Sequence, residues 1–107
     1  MQAITDIDVY HAGELTVIGF GNSENLDELN VAEFNDEIKQ LIRDNNCQDL
    51  AVDLTGIQFI PRGLLGVLTS VYRRNINVHL FNTSNDIREV LEITKLDRLF
   101  YLHNVEV

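Results

Sequence analysis

The chain has 107 residues, 45% of them apolar and 23% charged, which suits one soluble domain (residues 1–107) with a real core but leaves no room for two. Its formal net charge of −9 disfavours nucleic acid and anionic membranes as partners, since both call for basic surface, and favours a basic protein partner. No stretch reaches the roughly 18 apolar residues needed to cross a bilayer, and the first residues lack the basic and apolar segments of a secretion signal, so a cytoplasmic protein without membrane insertion is expected.

Residues 3–20 read as two strands joined by His11-Ala12-Gly13-Glu14, an antiparallel hairpin. The first strand is loosely patterned, with Asp6 and Asp8 on one side and Ile7 and Val9 on the other. The second, Leu15 to Phe20, alternates better. A polar loop, 21–29, leads into a helix from about Asn30 to Asp44. Asn30 suits an N-cap, Glu33 completes a capping-box pattern, and Val31, Phe34, Ile38, Leu41 and Ile42 make one apolar stripe. Asn45, Asn46 and Cys47 break it. Cys47 is the only cysteine and has no neighbouring Cys or His, so it reads as a loop residue and not as a ligand or redox centre. Leu50 to Leu54 is a short apolar strand of the kind buried in a parallel sheet.

Residues 53–66 organise the rest: strand end, turn at Thr55-Gly56, then a helix that Pro61, the only proline, opens as its first residue, with Ile60 extended before it. A helix start offers free N–H groups and a partial positive charge, yet neither GxxxxGK[ST] nor GxGxxG is present, so a phosphate cradle is not indicated. In this helix Leu64, Leu65, Val67, Leu68, Val71 and Tyr72 cover more than one stripe, which predicts a largely buried element. Gly63 and Gly66 each cost about 0.5–1 kcal/mol relative to alanine and point to close approach by the sheet or a partner. Arg73-Arg74-Asn75 closes it with cations at the negative pole. Asn77 to Phe81 is the next strand. Thr83 or Ser84 caps a third helix with Ile87, Val90, Leu91 and Ile93 facing inward. Thr94 to Phe100 makes a further helical turn, and Val105 and Val107 a last edge strand. The order β-β-α-β-α-β-α-(α)-β implies a parallel core, an antiparallel first strand and right-handed crossovers.

Catalytic constellations are absent from the pattern. His11, His79 and His103 are far apart in sequence, and His79 reads as a packed or rim residue of its strand. There is no Gly-x-Ser-x-Gly or His-Glu-x-x-His, and the pairs Asp6/Asp8 and Asp27/Glu28 read as solvated acidic surface. Asp53, ending a central strand, is similar in position to the phospho-acceptor of receiver domains. That site also needs an acidic pair ending the first strand and a lysine ending the last, and Asp6, Asp8 and Lys95 do not supply them. Asp53 is therefore expected to brace the Thr55-Gly56 turn. No metal, cofactor or catalytic residue is indicated.

Asp53-Leu54-Thr55-Gly56-Ile57-Gln58-Phe59-Ile60, followed after a gap by Leu65-Gly66, resembles the first signature of the STAS family (sulphate transporters and anti-sigma factor antagonists), Asp-Leu-Ser-x-Val-x-Phe-Met-Asp-Ser-Ser-Gly-Leu-Gly. Val90 to Phe100 is similar to the second, a helix followed by a leucine-rich turn. The resemblance covers essentially the whole chain. It implies an α/β fold of STAS type: a mixed, mostly parallel sheet of four or five strands with an antiparallel N-terminal strand, flanked by three or four helices. It also implies a non-enzymatic regulatory domain. In the antagonists the unphosphorylated domain docks on a serine kinase that also holds a sigma factor, and phosphorylation of the second serine of Asp-Ser-Ser releases it, by placing about −2 charges inside the interface.

Pro61, Arg62 and Gly63 stand where the family has Asp-Ser-Ser, so the phosphoacceptor position is occupied by Gly63, which has no hydroxyl, and the usual switch is expected to be missing. The docking face carried over from the family comprises Thr55, Gly56, Pro61, Arg62, Gly63 and Leu64, and the implied partner is an anti-sigma factor serine kinase or a related STAS protein, with a homodimer also open. Arg62 opposes the helix dipole by about 0.3–1 kcal/mol. Its side chain either turns into water or offers a charge to an acidic partner. Thr55 reads as a turn residue and Ser70 as helix surface, not as phosphosites. Two alternatives stay open: a scaffold subunit of a stress-signalling or transporter complex, and a small-ligand or nucleotide-binding STAS domain.

Overall fold

The computed structural model describes residues 7–21 and 26–104. In chain order the elements are β1 (Asp8–His11), β2 (Leu15–Gly19), α1 (Val31–Asn45), β3 (Asp49–Asp53), α2 (Arg62–Arg73), β4 (Asn77–Phe81), α3 (Asn85–Ile93), a 3-10 turn (Leu96–Arg98) and β5 (Tyr101–His103). The five strands lie side by side in sequence order, β1 antiparallel to β2 and every other pair parallel. This is the mixed sheet expected from the sequence. Asp6, placed in the first strand by its pattern, and Val105 and Val107, expected as the last strand, lie outside the described residues. The strand that pairs with β4 is Tyr101–His103.

Local chemistry sets the element ends. Asn30 caps α1 by accepting the Glu33 N–H on Oδ1 at 3.0 Å, and Asn46 closes it in the left-handed conformation. Ser84 caps α3 by accepting the Ile87 N–H at 3.1 Å. Pro61 sits one position earlier than expected. It is the N-cap of α2, extended at ψ 152°, and its carbonyl accepts the Leu64 N–H at 3.1 Å. In the β1–β2 hairpin Thr16, fully buried, donates its hydroxyl to the Gly13 carbonyl at 2.8 Å.

Each crossover is expected to be right-handed and each steps one strand further in the same direction, so α1, α2 and α3 gather over one face of the sheet. Ile18, Leu50, Val52, Val78 and Leu80 point into that layer and meet Phe34 and Ile38 of α1, Leu64 and Leu68 of α2 and Ile87 and Leu91 of α3, all fully buried or nearly so. Two expectations change here. Tyr72 is 40% exposed although it shares the buried side of α2 with Leu65 and Leu68, because it is the last residue but one of the helix. On α3 only Ile87 and Leu91, one turn apart, reach the sheet, which leaves Val90 and Ile93 at the surface. No helix of the described residues is long and apolar enough to cross a membrane.

Leu64 lies at the meeting of α2 with the sheet. Leu64→Ala is expected to lower stability by about 2–5 kcal/mol, read as a fall in the urea midpoint at unchanged slope. A loss within measurement error would mean that this position is not core.

Candidate functional site

The turn that leads into α2 is held from both sides. Asp53 Oδ1 accepts the Thr55 N–H at 3.0 Å and the Thr55 hydroxyl at 2.6 Å, the bracing role expected of it. The Ile57 N–H closes the turn on the Leu54 carbonyl at 3.0 Å, with Gly56 at φ +81°, a conformation side chains rarely adopt. Asn82 donates its Nδ2 to Thr55 Oγ1 at 2.9 Å, so that hydroxyl is engaged on both sides. Ser84 donates to the Gln58 carbonyl at 2.8 Å and Gln58 to Asp86 at 3.0 Å. The turn is thus tied to the segment that opens α3.

Of the six residues expected on the docking face, Thr55, Gly56, Arg62 and Gly63 are exposed and Pro61 is half-buried. Leu64 is not on that face. It is fully buried, because the third residue of α2 has already turned toward the sheet, so no partner can touch it. Gly63 is exposed toward solvent but not free toward the domain. A Cβ built there would lie 2.9 and 3.0 Å from the two methyl groups of Val31, at the start of α1. The hydroxymethyl group of a serine needs more room still. The close approach foreseen for this glycine is therefore to a neighbouring helix.

Behind this front, α2, α3 and the 3-10 turn enclose a groove of about 950 Å³. Ile60, Leu65, Val90, Ile93 and Leu96 make it apolar, Thr69 and the half-buried Ser70 line it, and its charged lining residues are Arg62 and Arg73. Gly66 stands in its wall with nothing within 4 Å of the place a Cβ would take.

The sheet face opposite the helices carries the arrangement that sequence reading missed. A depression of about 670 Å³ is floored by Val17 and Ala51 and walled by His79, Phe81 and His103. Tyr101 stacks on His79 (centroids 4.9 Å), His79 on His103 (5.2 Å) and His103 on Phe81 (4.5 Å). His79 Nε2 lies 3.1 Å from Asp49 Oδ1 and its Nδ1 lies 3.0 Å from His103 Nε2. Facing a carboxylate, Nε2 of His79 carries the hydrogen and donates it. On the other side of the ring, Nδ1 shares a hydrogen with His103 Nε2. Histidines 24 residues apart are joined by the parallel register that sets His79 beside Tyr101 and Phe81 beside His103. The one signal in the sequence was the alternation His79/Phe81 and Tyr101/His103. His11 has a separate contact, Nδ1 at 2.6 Å from the Leu15 carbonyl. Among the described residues no cluster of three or more His, Cys, Asp or Glu is arranged to hold a metal ion.

The strand-turn-helix, the sheet order and the spacing of the two motifs agree with one family, and the STAS domain family model matches residues 6–106. The chain is a STAS domain. Its fold is similar to that of the anti-sigma factor antagonist SpoIIAA in its unphosphorylated form, at 15% identity with a TM-score of 0.78, over 94% of this chain and 88% of that one. It is also similar to an anti-sigma-factor antagonist (STAS) domain protein from Planctomyces limnophilus, at 19% identity with a TM-score of 0.72, over 95% and 92% of the two chains. No curated protein sequence matches this STAS domain.

Two measurements follow from this geometry. Gly63→Ser is expected to lower the melting temperature, and Val31→Ala combined with it to restore part of the loss that the two single changes predict by addition. Strict additivity would contradict the Val31 contact. The His79 and Asn77 hydrogen bonds hold the Asp49 carboxyl below the ordinary carboxylate range. A depressed carboxyl stabilises the fold above the unfolded value near 3.9 and loses that contribution as pH falls through the folded value. Wild type is therefore expected to lose more stability than Asp49→Asn as pH falls below about 5, by an amount trimmed because Asp49 is partly exposed. Equal acid sensitivity of the two would contradict it.

Proposed function

We propose that this STAS domain is a non-enzymatic regulatory interaction module that docks on a protein partner through the front of α2, formed by Thr55, Gly56, Pro61, Arg62 and Gly63. The observation that carries the reading is the pairing of an accessible helix start with a filled acceptor position. Arg62 and Gly63 face solvent, while the methyl groups of Val31 take the room that a side chain at position 63 would need. The partner is a serine-kinase anti-sigma factor or a related STAS protein, in keeping with the antagonists that share the fold. Without a hydroxyl at position 63, and with the Thr55 hydroxyl held by Asp53 and Asn82, binding is governed by abundance and competition and not by phosphorylation at this turn.

The test is capture of serine-kinase anti-sigma factors from the protein's own genome by wild type and by Arg62→Glu. Reversing an exposed charge at the centre of the face is expected to weaken binding about tenfold or more while the circular dichroism stays the same. Unchanged capture would remove the proposed face. Incubation of the complex with ATP is expected to leave residues 55–66 unlabelled, and stoichiometric phosphate on Thr55 would overturn the unswitched reading.

A further inference from the structure

Docking at the front of α2 leaves the groove behind it unexplained. Ile93 is 74% exposed and Val90 41%, and both line that groove. Exposed apolar side chains gathered along one groove, unlike ones scattered singly, mark a surface that a partner can cover. Across from them Gly66 stands within α2, although among the described residues nothing comes near enough to require a glycine there. Glycine weakens a helix, so its presence fits an approach from outside.

Charge supplies the second half of the argument. In a chain of net charge −9, the charged residues lining this groove among the described residues are Arg62 and Arg73, with no carboxylate beside them in the lining. Eleven residues apart on one helix, they stand within about 20° of the same face and roughly 16 Å apart along the axis. The groove is therefore an apolar trough with a cation at each end of a three-turn wall.

Resting on the docking reading above, we propose that this groove receives one amphipathic helix of the partner, apolar along one stripe and bearing carboxylates about eleven residues apart, the spacing that reaches both arginines. Its apolar side chains, recurring every third or fourth residue, cover Leu65, Val90 and Ile93. Its backbone passes closest over Gly66. The carboxylates pair with Arg62 and Arg73, steering the encounter and fixing the direction of the helix.

The test uses the whole domain and a fluorescent amphipathic helical peptide of about 18 residues, five turns, with leucines along one stripe and two glutamates eleven apart, beside the same peptide with those glutamates as lysines. Anisotropy titration is expected to show the acidic peptide binding about tenfold or more tighter than the lysine version, with an affinity that falls as salt rises. Ile93→Asp and Gly66→Leu, both at surface positions, are expected to abolish binding at unchanged circular dichroism, and Arg73→Glu to shift preference toward the lysine peptide. Gly66→Ala is expected to raise the melting temperature, which shows that the glycine is not kept for the fold. Equal binding of the two peptides, binding of neither, or full binding by Ile93→Asp overturns the proposal. So does self-association in sedimentation that Ile93→Asp removes, since the occupant would then be a second copy. If Arg73→Glu and Ile93→Asp leave partner capture intact while Arg62→Glu destroys it, the groove proposal fails and docking at the front stands. If Arg62→Glu is silent, it is the docking reading that fails.

Discussion

One topological constraint governs this molecule. Four strands run parallel in sequence order, and every crossover between them steps the same way, so the chain is obliged to stack all three helices on one side of the sheet. One face becomes a dry core of Ile18, Leu50, Val52, Val78 and Leu80. Among the described residues no helix covers the other, which is unusual for parallel strands, whose two faces are ordinarily both sheltered. The domain softens that exposure with its own side chains. Ala51 keeps the centre of the face small, the Tyr10 ring lies over Gly19, and the Tyr101–His79–His103–Phe81 stack covers the β4 and β5 side.

The crowding of helices on one face explains the most distinctive local feature. α1 and α2 must share the layer, and they meet where Val31 presses against Gly63. Packing alone thus favours a glycine at this position. A glycine admits the valine, the valine leaves no space for a hydroxymethyl group, and the start of α2 is held in a single arrangement. α3, at the other edge of the layer, is short. It grips the sheet with Ile87 and Leu91 and leaves Val90 and Ile93 outside, which is how an apolar groove comes to lie between two helices of one small domain.

Much of this was legible in the residues, and the boundary of legibility has a physical cause. The cap at Asn30, the choice of Thr83 or Ser84 as the next cap, the Asp53 brace and the order of elements along the chain all depend on bonds or periodicities spanning a few residues, and these could be read directly. The burial of Leu64 could not. α2 is apolar around much of its circumference, so which part of its first turn faces outward depends on where the sheet and α1 happen to lie. Val90 and Ile93 misled for the reverse reason, since their spacing is that of a core stripe and only the position of α3 at the margin of the layer denies them cover. The chain from Asp49 through His79 to His103 joins three strands, and only their relative register brings its members together.

The stapling of the first turn to the start of α3 has a mechanical consequence. Thr55 is bonded to Asn82, Gln58 to Asp86, and Ser84 to the Gln58 carbonyl, so these two segments cannot slide past one another without breaking several bonds at once. The gap between α2 and α3 is therefore pinned at its Thr55 end, where the two walls are fastened to each other.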